Sequence, residues 1–175
     1  MLKEYELQYR DKQSEKDLLD LTPSANLQSV ATLGTPRLLT DSDWSNMLIL
    51  GDNLLCLRAL MSNNAIKGNV GLIYIDPPFS TAQDFRGGNS RVATISSSQE
   101  DEVAYEDRLT GAEYLEFLRK RLVFLRELLA NDGSIYVHID WKKGHYVKVL
   151  MDEVFGEEHF INDIARVKCN PKNFA

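Results

Sequence analysis

The chain has 175 residues, 43% of them hydrophobic and 26% charged, enough for one domain around one core. No apolar run approaches the ~18 residues of a membrane span, and Met1-Leu2-Lys3-Glu4-Tyr5-Glu6 is too charged for a signal peptide. The formal net charge of −6 excludes a general attraction to polyanions, so a phosphate-bearing partner would have to be met by a local basic patch.

Two cysteines, Cys56 and Cys169, lie far apart without metal-ligand spacing, which fits a reduced cytoplasmic protein. Residues 1–45 read as an extension: a charged, solvated helix from Glu4 to Leu21, then a loop through Pro23, Asn26, Gly34 and Pro36. The main domain is expected over 46–175. Met47 to Leu50 form a short apolar run ending at Gly51-Asp52-Asn53, read as a strand and a turn. A helix follows, with Leu54, Leu55, Leu57, Leu60 and Met61 spaced to bury one face.

The run Gly71-Leu72-Ile73-Tyr74-Ile75 reads as a strand covered on both faces. It ends in Asp76-Pro77-Pro78-Phe79, where the prolines cannot donate to a sheet ladder. Asp76 therefore stands at the carboxyl end of the strand, the edge where open α/β sheets bind ligands. An acid and Pro alone make an ordinary strand-to-loop turn. The full run suits chemistry on the exocyclic amine of a nucleobase, whose lone pair is delocalised into the ring. A carboxylate from Asp76 and the carbonyl of Pro77, its direction restricted by the two rings, can accept both N–H bonds and free that lone pair. Phe79 offers a face for a flipped base, a stack of about 1–3 kcal/mol.

A polar loop is expected from Ser80 to about Leu109, and its Gly87-Gly88 lacks the Lys and Ser/Thr of a phosphate loop. Thr110-Gly111-Ala112-Glu113 is a capping box opening a helix to about Ala130. Its buried stripe is Leu115, Leu118, Leu122, Leu125 and Leu129, with Arg119, Lys120 and Arg126 outward. Asn131-Asp132-Gly133 stops that helix, and Ser134 to Ile139 read as a strand that carries His138 and Asp140 on one face. A helix over Tyr146–Phe155 and a strand over Asp163–Val167 complete a three-layer α/β expectation: a mostly parallel sheet with helices on both faces. A rival reading gathers Asp52, Asp76, Asp140 and His138 around a metal for phosphoester hydrolysis, but Pro77-Pro78 would give a metal nothing.

Ile73-Tyr74-Ile75-Asp76-Pro77-Pro78-Phe79 resembles the catalytic motif of amino-methyltransferases acting on DNA. The wider run, from Asn46 through Asp52-Asn53 to Gly133-Ser134-Ile135-Tyr136-Val137-His138-Ile139-Asp140, is similar to β-group adenine-specific methyltransferases, most of all to type III modification subunits. The resemblance implies a partial Rossmann-like methyltransferase fold. It implies S-adenosylmethionine as cofactor, held by Asp52, Asn53 and Asp76, with Asp76, Pro77, Pro78 and Phe79 catalytic. Helix capping by Asp52 or Asn53 is the plainer alternative for that pair. The acid before the prolines implies N6 of adenine in double-stranded DNA, with N4 of cytosine as the alternative. In this family an Asn-Thr-Gly often follows the aromatic residue, where this chain has Ser80-Thr81-Ala82.

The resemblance also implies a glycine cofactor loop, Phe-x-Gly-x-Gly, and a region that reads DNA sequence, yet neither occurs in this sequence. The expectation is a truncated or split enzyme whose second subunit carries both, with a restriction subunit as a further partner. A non-catalytic DNA- or partner-binding remnant of such an enzyme is the alternative outside the enzyme class.

Overall fold

A computed structural model describes residues 6–32, 46–78, 84–87, 102–106 and 111–166. Helix α1 spans Glu15–Leu21, α2 Asn53–Leu60, β1 Val70–Ile75, β2 Asp84–Gly87, β3 Glu102–Glu106, α3 Gly111–Leu128, β4 Leu129–Val137 and α4 Gly144–Phe155. The strands form two pairs, β1 with β4 in parallel and β2 with β3 antiparallel.

The parallel pair sets the frame. Ile73 lies opposite Ile135, Tyr74 opposite Tyr136 and Ile75 opposite Val137. Between Val70 and Leu72 the register shifts, so that five steps of β4, from Leu129 to Ser134, span two of β1. Asn131-Asp132-Gly133, expected to stop the helix before a strand, instead form this bulge within β4. Gly133 is required there: a Cβ would stand 2.8 Å from the Val70 carbonyl oxygen.

Side chains alternate across the pair. Ile75, Ile135 and Val137 pack on a core of Leu18, Tyr114, Leu118, Leu122, Val123, Phe124, Val147, Leu150 and Val154. Leu72 and Tyr74, 63% and 65% exposed, face the other way, as does Tyr136. The expectation of a strand buried on both faces is thus corrected: among the described residues α1 to α4 share one core on one face of the pair.

Two expected strands are absent from both sheets. Met47–Leu50 has no ladder partners. Its alternation is nevertheless strand-like. Met47 and Ile49 line an apolar cavity of about 280 Å³ with Leu60, Ile66, Val70, Ile73, Leu125 and Leu128, whereas Leu48 and Leu50 are fully exposed. Asp163–Arg166 likewise has no strand partner, and Val167 lies outside the described residues. An apolar run becomes a strand only where a neighbour accepts its hydrogen bonds. Conversely, β2 and β3 pair within the stretch expected to be loop, because runs of four and five residues carry little periodic signal.

The long helix holds as expected, with Leu118, Leu122 and Leu125 buried, although it passes straight into β4 at Leu129. Thr110 of the capping box lies outside the described residues. Helix α4 ends at Gly156, whose φ of +97° is a left-handed stop.

Arg119 does not face outward: it is 1% exposed. Its Nε donates to Glu116 Oε2 at 3.0 Å, its Nη2 to the Gln13 carbonyl, and its Nη1 lies 4.0 Å from Glu153 Oε1. Residues 6–14, expected to be helical, run instead as a non-helical arm onto this cluster. Tyr9 Oη donates to Glu116 Oε2 at 2.6 Å, the Leu7 amide to Glu153 Oε2 at 3.2 Å, and Lys12 Nζ to the same oxygen at 2.9 Å. Arg126 is also paired, with Glu15 and Glu127.

Burial alone would raise the Glu116 carboxyl, but hydrogen bonds from Arg119 and Tyr9 together hold it below the ordinary carboxylate value. Burial and the same contact push the Tyr9 phenol upward. Replacing Arg119 by Met leaves Glu116 buried without its cation, while Glu153 keeps Lys12. It is expected to cost about 3–5 kcal/mol, read as a lower urea midpoint at unchanged slope.

Because the folded Glu116 is the stronger acid, its contribution to stability is complete above the ordinary glutamate pKa of about 4.3 and fades as pH falls toward the depressed folded value. The Glu116→Gln variant is expected to lose part of that acid-limb slope in urea titrations repeated between about pH 2 and pH 6.

Candidate functional site

Parallel strands end at the same edge, and here the register makes that edge specific. Ile75 and Val137 are the last paired residues, so Asp76 and His138 leave the sheet side by side. The His138 amide donates to the Ile75 carbonyl at 2.9 Å, extending the ladder by one step. His138 Nδ1 then meets Asp76 Oδ1 at 3.0 Å. The histidine side chain is 43% exposed and that of the aspartate 59%, so the pair is open to an incoming ligand. An ionised carboxylate only accepts, which assigns the Nδ1 proton to His138.

Pro77 and Pro78 follow, both half-buried. With them the chain leaves β1, as two residues without an amide hydrogen require. Phe79 lies outside the described residues.

Asp52 caps α2: its Oδ1 accepts from the amides of Leu54 at 2.8 Å and Leu55 at 3.4 Å. Gly51 before it has φ +152°, a conformation that side-chain-bearing residues rarely adopt. Asn53 is the first helical residue, and its Oδ1 accepts from Arg121 Nε at 2.7 Å. Arg121 lies over the Phe117 ring, 3.5 Å from its centroid, and brings Nη2 to 4.0 Å from Asp52 Oδ1. Sequence reasoning missed Arg121, which sits one place beyond the expected outward Arg119-Lys120 pair on a leucine-striped helix.

Asp140 does not join a metal site. Its Oδ1 accepts from the Lys143 amide at 3.2 Å, and its carbonyl accepts from Gly144 at 3.1 Å, making the turn that starts α4. Among the described residues no three His, Cys, Asp or Glu side chains come together as metal ligands.

The Asp76–His138 contact was readable in principle. Leu72-Ile73-Tyr74-Ile75-Asp76 and Ser134-Ile135-Tyr136-Val137-His138 repeat one pattern, and the observed register aligns them residue by residue.

An acid-Pro-Pro strand end thus stands beside a second parallel strand, with an exposed carboxylate at the carboxyl edge of the pair. Residues 70–175 match the family described as DNA methylase, N6_N4_Mtase. The chain is 46% identical over 129 residues to the type II methyltransferase M.EcaI of Enterobacter cloacae, an alignment covering 73% of this chain and 25% of that protein. It is 31% identical over 189 residues to the type III restriction-modification enzyme EcoP15I Mod subunit of Escherichia coli, covering 98% and 28%. It is 31% identical over 131 residues to the type II methyltransferase M.KpnI of Klebsiella pneumoniae, covering 74% and 28%. The chain therefore belongs to the DNA methylase family. It spans about a quarter of the length of these relatives.

The capping role of Asp52 has its own test. Asp52→Ala is expected to lower stability by about 1 kcal/mol in urea, and Asp52→Asn, which keeps a capping oxygen, by less than half of that.

Proposed function

We propose that this chain carries the amine-orienting half of an S-adenosylmethionine-dependent DNA methyltransferase that modifies N6 of adenine within a restriction-modification system. The observation that carries the reading is the Asp76–His138 pair at the open carboxyl edge of β1 and β4, followed at once by Pro77-Pro78. The catalytic unit is residues 46–175 and residues 1–45 are an extension, of which residues 6–14 pack on it. The complete fold is Rossmann-like, with helices on both faces of a larger parallel sheet, and the protein works in the cytoplasm. No helix among the described residues is long and apolar enough to cross a membrane.

The target adenine leaves the duplex, because its amine is otherwise paired and stacked. Asp76 accepts one N–H and the Pro77 carbonyl the other, so the nitrogen lone pair is drawn out of conjugation toward the methyl donor. Phe79 stacks on the flipped base. An acid at position 76, rather than a hydroxyl, supports adenine over cytosine. Most of the rate enhancement is positioning and electrostatics, since S-adenosylmethionine, when bound, supplies a methyl group already activated on a sulfonium.

The residues present suit the polar end of that cofactor. Asp52 is an exposed carboxylate whose cap uses Oδ1, and carboxylate oxygens suit amino and hydroxyl donors. Asn53 stands beside it, with its carbonyl oxygen already bound to Arg121 and its amide left to donate. The methionine end calls for the close backbone approach of a glycine loop. No Phe-x-Gly-x-Gly run occurs in the sequence, so we assign that contact and the reading of DNA sequence to a companion subunit or segment, with a restriction subunit as a further partner.

Removing the amine acceptor should affect chemistry and leave binding. In the assembled enzyme, Asp76→Ala is expected to lower transfer of labelled methyl to DNA by at least about 10³-fold, with S-adenosylmethionine affinity within about threefold of wild type. Undiminished transfer would remove Asp76 from the reaction and with it this reading.

A further inference from the structure

Asp76 has an anchoring problem created by its own neighbours. An aspartate at the end of a strand is ordinarily held by the amides that follow it, in an Asx turn. Here the next two residues are Pro77 and Pro78, and neither has an amide hydrogen. The carboxylate is 59% exposed, so packing does not fix it either. The contact that orients it comes from a different element.

We propose that His138 is the positioning residue for Asp76 in the methyl transfer proposed above, on which this role rests. Three observations carry it. The backbone of His138 is locked in register, its amide bound to the Ile75 carbonyl at 2.9 Å. Its Nδ1 is 3.0 Å from Asp76 Oδ1. The neighbouring acid, Asp140, does not compete through Oδ1, which is bound to the Lys143 amide.

One carboxylate oxygen is thereby fixed by an imidazole N–H, and the other is left to accept the N–H of the target amine. An ordinary exposed His–Asp contact would contribute little to stability or to anything else, about 0–1 kcal/mol. What separates the two roles is the rate of the chemical step.

The test is steady-state methyl transfer by the assembled enzyme with S-adenosylmethionine and DNA, comparing wild type with His138→Ala and His138→Asn. The Asn amide nitrogen falls close to the place of Nδ1 and can still donate to Asp76. The expected result is a loss in kcat on the order of 10²-fold in His138→Ala, with KM for both substrates within about twofold of wild type. His138→Asn should recover most of that loss. If His138→Ala fails to fold by its urea transition, His138→Gln, whose amide lies one bond further out, takes its place.

A full rate in His138→Ala, a change confined to KM, or an Asn variant no better than the Ala variant would each overturn the role while leaving the methyl-transfer reading intact. A wild-type enzyme that transfers no methyl group would overturn that reading, and this role with it.

Discussion

Parallel pairing of β1 with β4 is the constraint on which the site depends. Two antiparallel strands would have sent their carboxyl ends to opposite edges, and Asp76 and His138 would never have met. Parallel strands need a crossover, and α3 supplies the helical part of it, packing its leucine stripe on the sheet face that Ile75, Ile135 and Val137 present. The one-step register, Ile75 opposite Val137, then converts two similar sequence patterns into one side-chain contact. The bulge at Asn131-Asp132-Gly133 absorbs the mismatch at the other end of the pair, where only glycine fits beside the Val70 carbonyl.

A second set of interactions holds the helices to one another and to the arm of residues 6–14. Glu116, Arg119 and Glu153 are buried charges, and they are tolerated because each is hydrogen-bonded. The arm completes them: Tyr9, Lys12 and the Gln13 carbonyl each bond to one of the three. Such a network does not add stability over an apolar core of the same volume. What it supplies is a defined place for a polar segment that could not otherwise hold a fixed path. The site and this cluster share α3, so its docking also bears on how firmly β1 and β4 are backed.

Much of the fold was legible in the sequence, and the misses have one physical source. The α2, α3 and α4 helices, β1 and the strand over Ser134–Val137 follow from periodicity within a single segment. What depends on a partner does not. Met47–Leu50 has the composition and alternation of a strand but no neighbour to bond with, and the brief β2–β3 pair has a neighbour but almost no pattern. Arg119 reads as an outward cation because two of its partners, the Gln13 carbonyl and Glu153, come from an arm about 106 residues earlier in the chain and from α4. At the site, the prolines fixed where Asp76 would stand, and the Asx-turn rule says that it lacks a local anchor. That His138 supplies the anchor needed the register. Asp52 illustrates the reverse case: its cap is a local motif, and it was readable as one.

On the proposed reading, Asp76 and Pro77 present the amine of adenine to a methyl donor. The most direct measurement is the identity of the product. Unmethylated DNA is incubated with the assembled enzyme and S-adenosylmethionine, digested to nucleosides and analysed by mass spectrometry. N6-methyladenine is the expected new nucleoside. N4-methylcytosine, or DNA carrying no new methyl group, would contradict that reading.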